Sequence, residues 1–458
     1  MKELKGKISI HSYTGKKYKP GTVFSYTVYV SKYYDAKNPA ALIINLDEFY
    51  KEQSIAMEEL VSKGKAPAFV TIGIEPGILP PTLKGGMERK MRRDEYDLVG
   101  DEFPNFLIKE LIPEVCHNEN LCISENPDMH MMCGGSSGAL SSWNAAWYRN
   151  DYFRRVYLAS PSFHAMGAAE DFPFLIRKFE PRPIRAYVTY GENEPDGYFG
   201  NSYTSGINTI KALSYAGYEI KSKYFPGEGH ICRINDYDVQ LEGLEYLWHD
   251  WNKTPVKILK LQDQISKLID IDSTWEELQP SAEFPNSCIA ASINGVYVAD
   301  LGKIWFEKKT GERTIVADDF GKVTALGISS DLWRLYIADK ERRYIFAMSI
   351  CPDGSLKDRY ILGSLHLATD CHSIGASDLC VDVGDRVYAA TELGIQSMTS
   401  FGIVDAIIPL PEDLPVDYIA FKGKYLHAKS GERHFRRNWK ISGRVSSESA
   451  TLPAESFY

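Results

Sequence analysis

A chain of 458 residues is too long for one ordinary core, so two or three domains are expected. Its net charge of −9, without strong polarisation along the chain, argues against nucleic acid as the main partner. No apolar run reaches transmembrane length, and the first residues, MKELKGKISIHSYTGKKYKPG, lack the apolar stretch of a secretory signal, so a cytoplasmic protein without a membrane partner is expected. Eight scattered cysteines form no C-x-x-C pair, which points to reduced thiols and to no metal or other cofactor.

Taken in order, residues 22–30 (TVFSYTVYV) alternate as a strand does, and 41–45 (ALIIN) and 68–74 (AFVTIGI) are nearly continuous apolar runs, as strands buried on both faces require. An amphipathic helix is predicted between them over 54–63. Residues 75–100 are rich in proline, glycine and charge and read as a long loop, and 103–115 as a helix. Strand, tight turn and helix follow over 129–148, then strands at 155–160, 184–191 and 219–225, with helices at 208–216 and 236–251. Strand alternating with helix at this rhythm predicts an α/β domain over 1–252, built on a doubly wound, mostly parallel sheet.

From about residue 253 the pattern changes. Residues 253–284 read as a linker with a short helical piece. Four similar segments then recur: VYVAD (296–300), LYIAD (335–339), VYAAT (387–391) and the weaker YLHA (425–428). Their spacing of roughly 40–50 residues is that of propeller blades, which predicts a smaller, shortened all-β, propeller-like domain of about four blades over 285–445 and a polar tail over 446–458.

The chemistry gathers at strand ends. Gly134-x-Ser136-x-Gly138 sits where a strand turns into a helix, the setting of a nucleophile elbow, in which small flanking residues let the serine Oγ stand up from the sheet edge. An acyl-transfer serine needs a base and a group to orient that base, in the chain order serine, acid, histidine. The loop after strand 184–191 offers Glu192, Glu194 and Asp196, and the glycine-rich turn after strand 219–225 offers His230. Backbone N–H groups of Ser137 and of the 46–50 loop, with Glu48 preferred, are the expected oxyanion donors. Asp47, Arg92, Arg93, Tyr96 and His164 are expected to face the substrate.

Together with Pro20-Gly21-Thr22, Arg92-Arg93-Asp94-Glu95-Tyr96-Asp97, Leu111-Ile112-Pro113-Glu114-Val115, Gly227-Glu228-Gly229-His230 and Leu247-Trp248-His249-Asp250-Trp251, these motifs resemble the esterase family that includes enterochelin esterases, esterase D-like enzymes and feruloyl or acetylxylan esterases. The resemblance covers much of 1–252. It implies an α/β-hydrolase fold with Ser136 as nucleophile, His230 as base and Glu194 as acid, acting on a feruloyl- or acetyl-type ester of a sugar or similar small molecule. A siderophore trilactone is the alternative substrate, and a non-catalytic carbohydrate-binding scaffold the alternative role. Two positions depart from the pattern: Asp47-Glu48 replaces the usual Asp-Gly, and glutamate replaces the usual acid aspartate. Residues 327–331, 335–339, 353–356 and 376–382 resemble gluconolactonase/regucalcin-like propellers. That family's metal-binding Asn position holds Thr324 here, and Ser377 stands near its Asp position with Asp378 beside it. A binding, lid or oligomerisation role, including a homo-oligomer formed through this region, is therefore expected in place of lactonase activity.

Overall fold

The computed structural model describes residues 3–164, 167–231, 233–253, 255–256, 265–279, 284–368 and 371–444. Much of the stretch read as a linker and all of the polar tail lie outside the described residues. The chain divides into two units, residues 1–177 with 181–261, and 178–180 with 262–458. No helix among the described residues is long and apolar enough to cross a membrane.

In the first unit, β1 (Lys7–Thr14) and β2 (Val23–Val30) pair antiparallel, and β3 (Ala41–Leu46), α1 (Lys51–Ser62) and β4 (Phe69–Ile74) follow. The stretch expected to be one long loop contains the two-residue strands β5 (Ile78–Leu79) and β6 (Arg89–Lys90) and a short helix, α2 (Arg92–Tyr96). The helix expected at 103–115 runs as α3 (Glu102–Phe106), a π-helical stretch Leu107–Leu111 and α4 (Ile112–Asn118). Then come β7 (His130–Gly135), α5 (Ser137–Tyr148), β8 (Arg155–Ala159), α6 (Phe172–Lys178) and β9 (Arg185–Asn193). The unit ends with a small hairpin of β10 (Asp196–Gly197) and β11 (Gly200–Asn201), then α7 (Ser202–Ala216), β12 (Glu219–Gly229) and α8 (Tyr237–Trp248).

The sheet order is β12-β9-β8-β7-β3-β4-β2, parallel from β12 to β4, with β1 on β2. Every residue of β3, β4, β7 and β8 is buried, which accounts for their continuous apolar runs. On one face, α1 and α8 bring Met57, Leu60, Leu244 and Trp248 against Met131, Tyr157 and Tyr187 of the sheet. Two buried arginines hold the C-terminus of α8. Arg155 donates to the carbonyl of Leu247, while Arg185 pairs with buried Glu219 and donates to the carbonyls of Leu247 (3.1 Å) and His249 (3.0 Å). They thereby satisfy acceptors that a helix end leaves open.

Among the described residues, the second unit contains four antiparallel sheets of four strands each. The four recurring segments of the sequence are each the second strand after a short inner one, in Gly295–Asp300, Arg334–Asp339, Val387–Thr391 and Tyr425–Ser430. The inner strands surround one cavity of about 190 Å³, lined by Ala290, Leu326, Leu379 and Ile419 among others, so the sheets stand as the blades of a four-blade propeller. Within the stretch read as a linker, Glu276–Leu278 pairs with Arg433–Asn438 and supplies the outer strand of the fourth blade. A segment ahead of the first blade thus completes the last, and every blade has four strands.

Candidate active site

Ser136 stands between β7 and α5 with φ 57° and ψ −122°, a left-handed conformation that costs a non-glycine residue about 1–3 kcal/mol. The turn is tight because Gly134 and Gly138, two residues to either side, have no side chains. A Cβ on Gly134 would lie 2.4 Å from the Gly138 backbone, and one on Gly138 would lie 2.9 Å from the Asp47 carboxylate. The Ser136 N–H donates to Ala159 O of β8 (2.9 Å), which fixes the turn to the neighbouring strand.

The glycine turn at the end of β12 brings His230 over this edge. Its Nε2 lies 2.9 Å from Ser136 Oγ, and its Nδ1 lies 2.5 Å from Glu194 Oε2. Of the three carboxylates expected after β9, Glu194 is the one against the imidazole. Glu192 is exposed and accepts the Gly227 N–H (2.7 Å), and Asp196 is exposed in the β10–β11 hairpin. The Glu194 side chain has 0% exposure, while 25% of the His230 side chain remains open, so the carboxylate is sheltered and the imidazole is reachable. Burial pushes the Glu194 carboxyl up, but hydrogen bonds from His230, Ser160 and the Gly191 N–H outweigh it and leave the group below its ordinary range. Ser202 Oγ adds a longer contact to Oε2 (3.4 Å).

The loop after β3 faces the same edge. Asp47, rather than Glu48, takes the left-handed conformation there (φ 76°), a state that aspartate tolerates better than most residues. Arg92 clamps it with two bonds, Nε to Oδ1 (2.6 Å) and Nη2 to Oδ2 (2.8 Å), and its guanidinium lies 5.5 Å from the Tyr96 ring centroid. The Tyr96 hydroxyl is 3.4 Å from the Asp47 N–H and from Ile74 O, and Tyr96 has no exposed surface to offer a ligand. Arg92 and Tyr96 thus brace the loop from behind. The side chains of Glu48 and Arg93 are exposed. Ser137 opens α5, where helix geometry leaves the first backbone N–H groups without helical acceptors.

His164 is half-buried in the loop after β8. Burial and the nearby His230 hold its imidazole below the ordinary histidine range, and its Nδ1 has no hydrogen-bond partner among the described residues. Sequence reading passed over two serines of that loop. Ser160 Oγ lies 2.5 Å from Glu194 Oε1, and Ser162 Oγ lies 3.1 Å from Ser136 Oγ. Their only signal in the sequence is the Ser-Pro-Ser run following a buried strand. Among the described residues, no cluster of three or more His, Cys, Asp or Glu is placed to hold a metal ion.

No family model and no curated protein matches the sequence. Among solved structures, the chain is similar to a ferulic acid esterase at 15% identity and a TM-score of 0.41, over 54% of this chain and 99% of that one. It is similar to the enterobactin esterase FES from Shigella flexneri at 16% identity and a TM-score of 0.42, over 54% of this chain and 60% of that one. The siderophore hydrolase EstB from Aspergillus nidulans shows 15% identity and a TM-score of 0.41, over 55% of this chain and 96% of that one.

Proposed function

We propose that the first unit is a serine carboxylic-ester hydrolase. The observation that carries this reading is the hydrogen-bonded series Glu194–His230–Ser136, with the serine strained into an elbow at the N-terminus of a helix. His230 Nε2 takes the proton of Ser136 Oγ as that oxygen attacks the ester carbonyl. Glu194 holds the Nδ1 proton and stabilises the imidazolium that forms. Negative charge develops on the carbonyl oxygen, and backbone N–H groups of Ser137 and Glu48 are proposed to receive it, aided by the positive end of α5. His230 then passes its proton to the leaving alcohol. It next activates a water that attacks the acyl-serine, and the carboxylate departs with Ser136 regenerated. This sequence of steps uses no metal and no cofactor.

For the substrate we propose a feruloyl- or acetyl-type ester of a sugar or similar small molecule, on the strength of the motif resemblance, with a siderophore trilactone as the competitor. The test is hydrolysis of p-nitrophenyl acetate, methyl ferulate and a catecholate trilactone by wild type and by Ser136→Ala, with and without EDTA. Turnover that is unaffected by EDTA and lost in the variant is expected. A folded wild type that cleaves none of the three contradicts the proposal, and the ester cleaved with the highest kcat/KM identifies the class.

A further inference from the structure

We infer that Ser160 is the positioning residue that registers the acid and the base of this site on each other, an inference that rests on the esterase reading above. It belongs to the turn Ser160-Pro161-Ser162, which leaves β8 and is hydrogen-bonded to Glu194, to Ser136 and to the residue that follows His230. The Ser160 hydroxyl accepts the backbone N–H of Ile231 (3.0 Å), the residue after His230. With one lone pair so occupied, its own proton is directed to Glu194 Oε1 (2.5 Å). A single hydroxyl thus joins the carboxylate to the backbone that carries the imidazole.

The turn itself is anchored on three sides. The Ser160 N–H donates to Thr189 O (2.7 Å), the Tyr190 hydroxyl donates to Pro161 O (3.0 Å), and the Ser162 N–H donates to Ser136 O (3.2 Å). Ser160 has no exposed surface and holds a left-handed backbone (φ 46°), and Ile231 does the same at φ 54°. Glycine would take this conformation without strain, so a buried serine here points to a use for its hydroxyl. Without that hydroxyl, Glu194 Oε1 keeps, among the described residues, the longer bond from the Gly191 N–H (3.2 Å), and the Ile231 N–H loses this acceptor. The carboxylate is then free to turn away from Nδ1, and the imidazole loses its fixed tautomer.

The experiment measures kcat and KM for p-nitrophenyl acetate with full-length wild type, Ser160→Gly, Glu194→Gln and the double variant. Ser160→Gly removes the hydroxyl while keeping the left-handed backbone free of strain. The expected result is a fall in kcat of about 10–100-fold with KM changed less than about threefold, as for the loss of a hydrogen bond to a charged group that orients the base. In the Glu194→Gln background, the same substitution is expected to change kcat by less than about threefold, because its effect passes through the carboxylate. An unchanged kcat in Ser160→Gly overturns the inference, as does an equal loss in both backgrounds, which marks a merely structural role. Circular dichroism melting checks the fold, and Ser160→Ala, carried through the same cycle, replaces the glycine variant if that one melts below the assay temperature. A wild type with neither turnover nor covalent labelling of Ser136 overturns the esterase reading and this inference with it. With wild type active, the outcome bears on Ser160 alone.

Discussion

Glu194 is longer by one methylene than an aspartate, and the site uses that length. Its carboxylate reaches His230 Nδ1 with one oxygen and Ser160 with the other, while its backbone lies beyond the end of β9 in the turn toward β10. Glu194→Gln keeps the shape but places an amide where Nδ1–H needs an anionic acceptor. Its kcat for p-nitrophenyl acetate is expected to fall about 10³–10⁴-fold, and that of Glu194→Asp, which withdraws the carboxylate, by about 10–100-fold. A Glu194→Gln variant that retains more than a tenth of wild-type kcat contradicts the role of this residue. The proposed nucleophile and base, Ser136 and His230, are legible in the sequence because each stands at a glycine-marked turn at a strand end. The proposed acid is not, because Glu192, Glu194 and Asp196 lie within five residues of one another after an apolar run, and only the backbone path decides which of them turns inward. Ser160 and Ser162 escape notice because small polar residues after a strand are the ordinary composition of a turn. At the departure Asp47-Glu48 the left-handed residue is Asp47, held by Arg92, and Glu48 needs no glycine-like backbone.

At the scale of elements, burial decides what is legible. Strands β3, β4, β7, β8 and β9 declare themselves through apolar runs, and each blade declares its second strand, which lies between two others and is either buried throughout or on alternate residues. Two elements at sheet edges do not. In β1, KISIHSYT, most residues face solvent. The Glu276–Leu278 strand is held in part by charge, with Glu276 and Glu277 paired bidentately to Arg436 and Arg433, a pattern that reads as a solvated linker. The buried arginines beneath α8 are likewise silent, since a lone arginine in a strand signals nothing until its partner is known. Their energetic weight is testable. Arg185→Met leaves Glu219 buried without its countercharge and frees the His249 carbonyl at the end of α8, so a loss of about 3–5 kcal/mol in urea unfolding is expected. The double variant with Glu219→Leu is expected to regain much of that loss. A single variant within 1 kcal/mol of wild type, on the order of surface substitutions, contradicts this role for the pair.

At the scale of the whole molecule, an all-β propeller follows an α/β unit, and the propeller carries a buried acid with its own pH signature. Asp378, on the inner strand of the third blade, accepts the Leu379 N–H (2.8 Å) and, across to the fourth blade, the Ile419 N–H (2.8 Å). Burial dominates over these bonds and pushes its carboxyl up to about 7. The folded state therefore holds a proton that the unfolded chain releases near pH 4. Between about pH 4 and 7 the folded state binds more protons, so this group's contribution to stability falls as pH rises through that window and levels off above it. Asp378→Asn cannot titrate and supplies only one acceptor oxygen. Thermal denaturation is expected to show it well below wild type at pH 5 and closer to wild type at pH 8, whereas a constant gap across that range contradicts the buried, protonated acid.

The most direct measurement on the central claim is intact-mass analysis of the full chain treated with a fluorophosphonate. A hydrogen-bonded Ser136 activated by His230 predicts one adduct per chain, located at Ser136, absent in Ser136→Ala and formed far more slowly in His230→Ala. An unlabelled, folded wild type, or an adduct that persists in Ser136→Ala, contradicts a serine esterase.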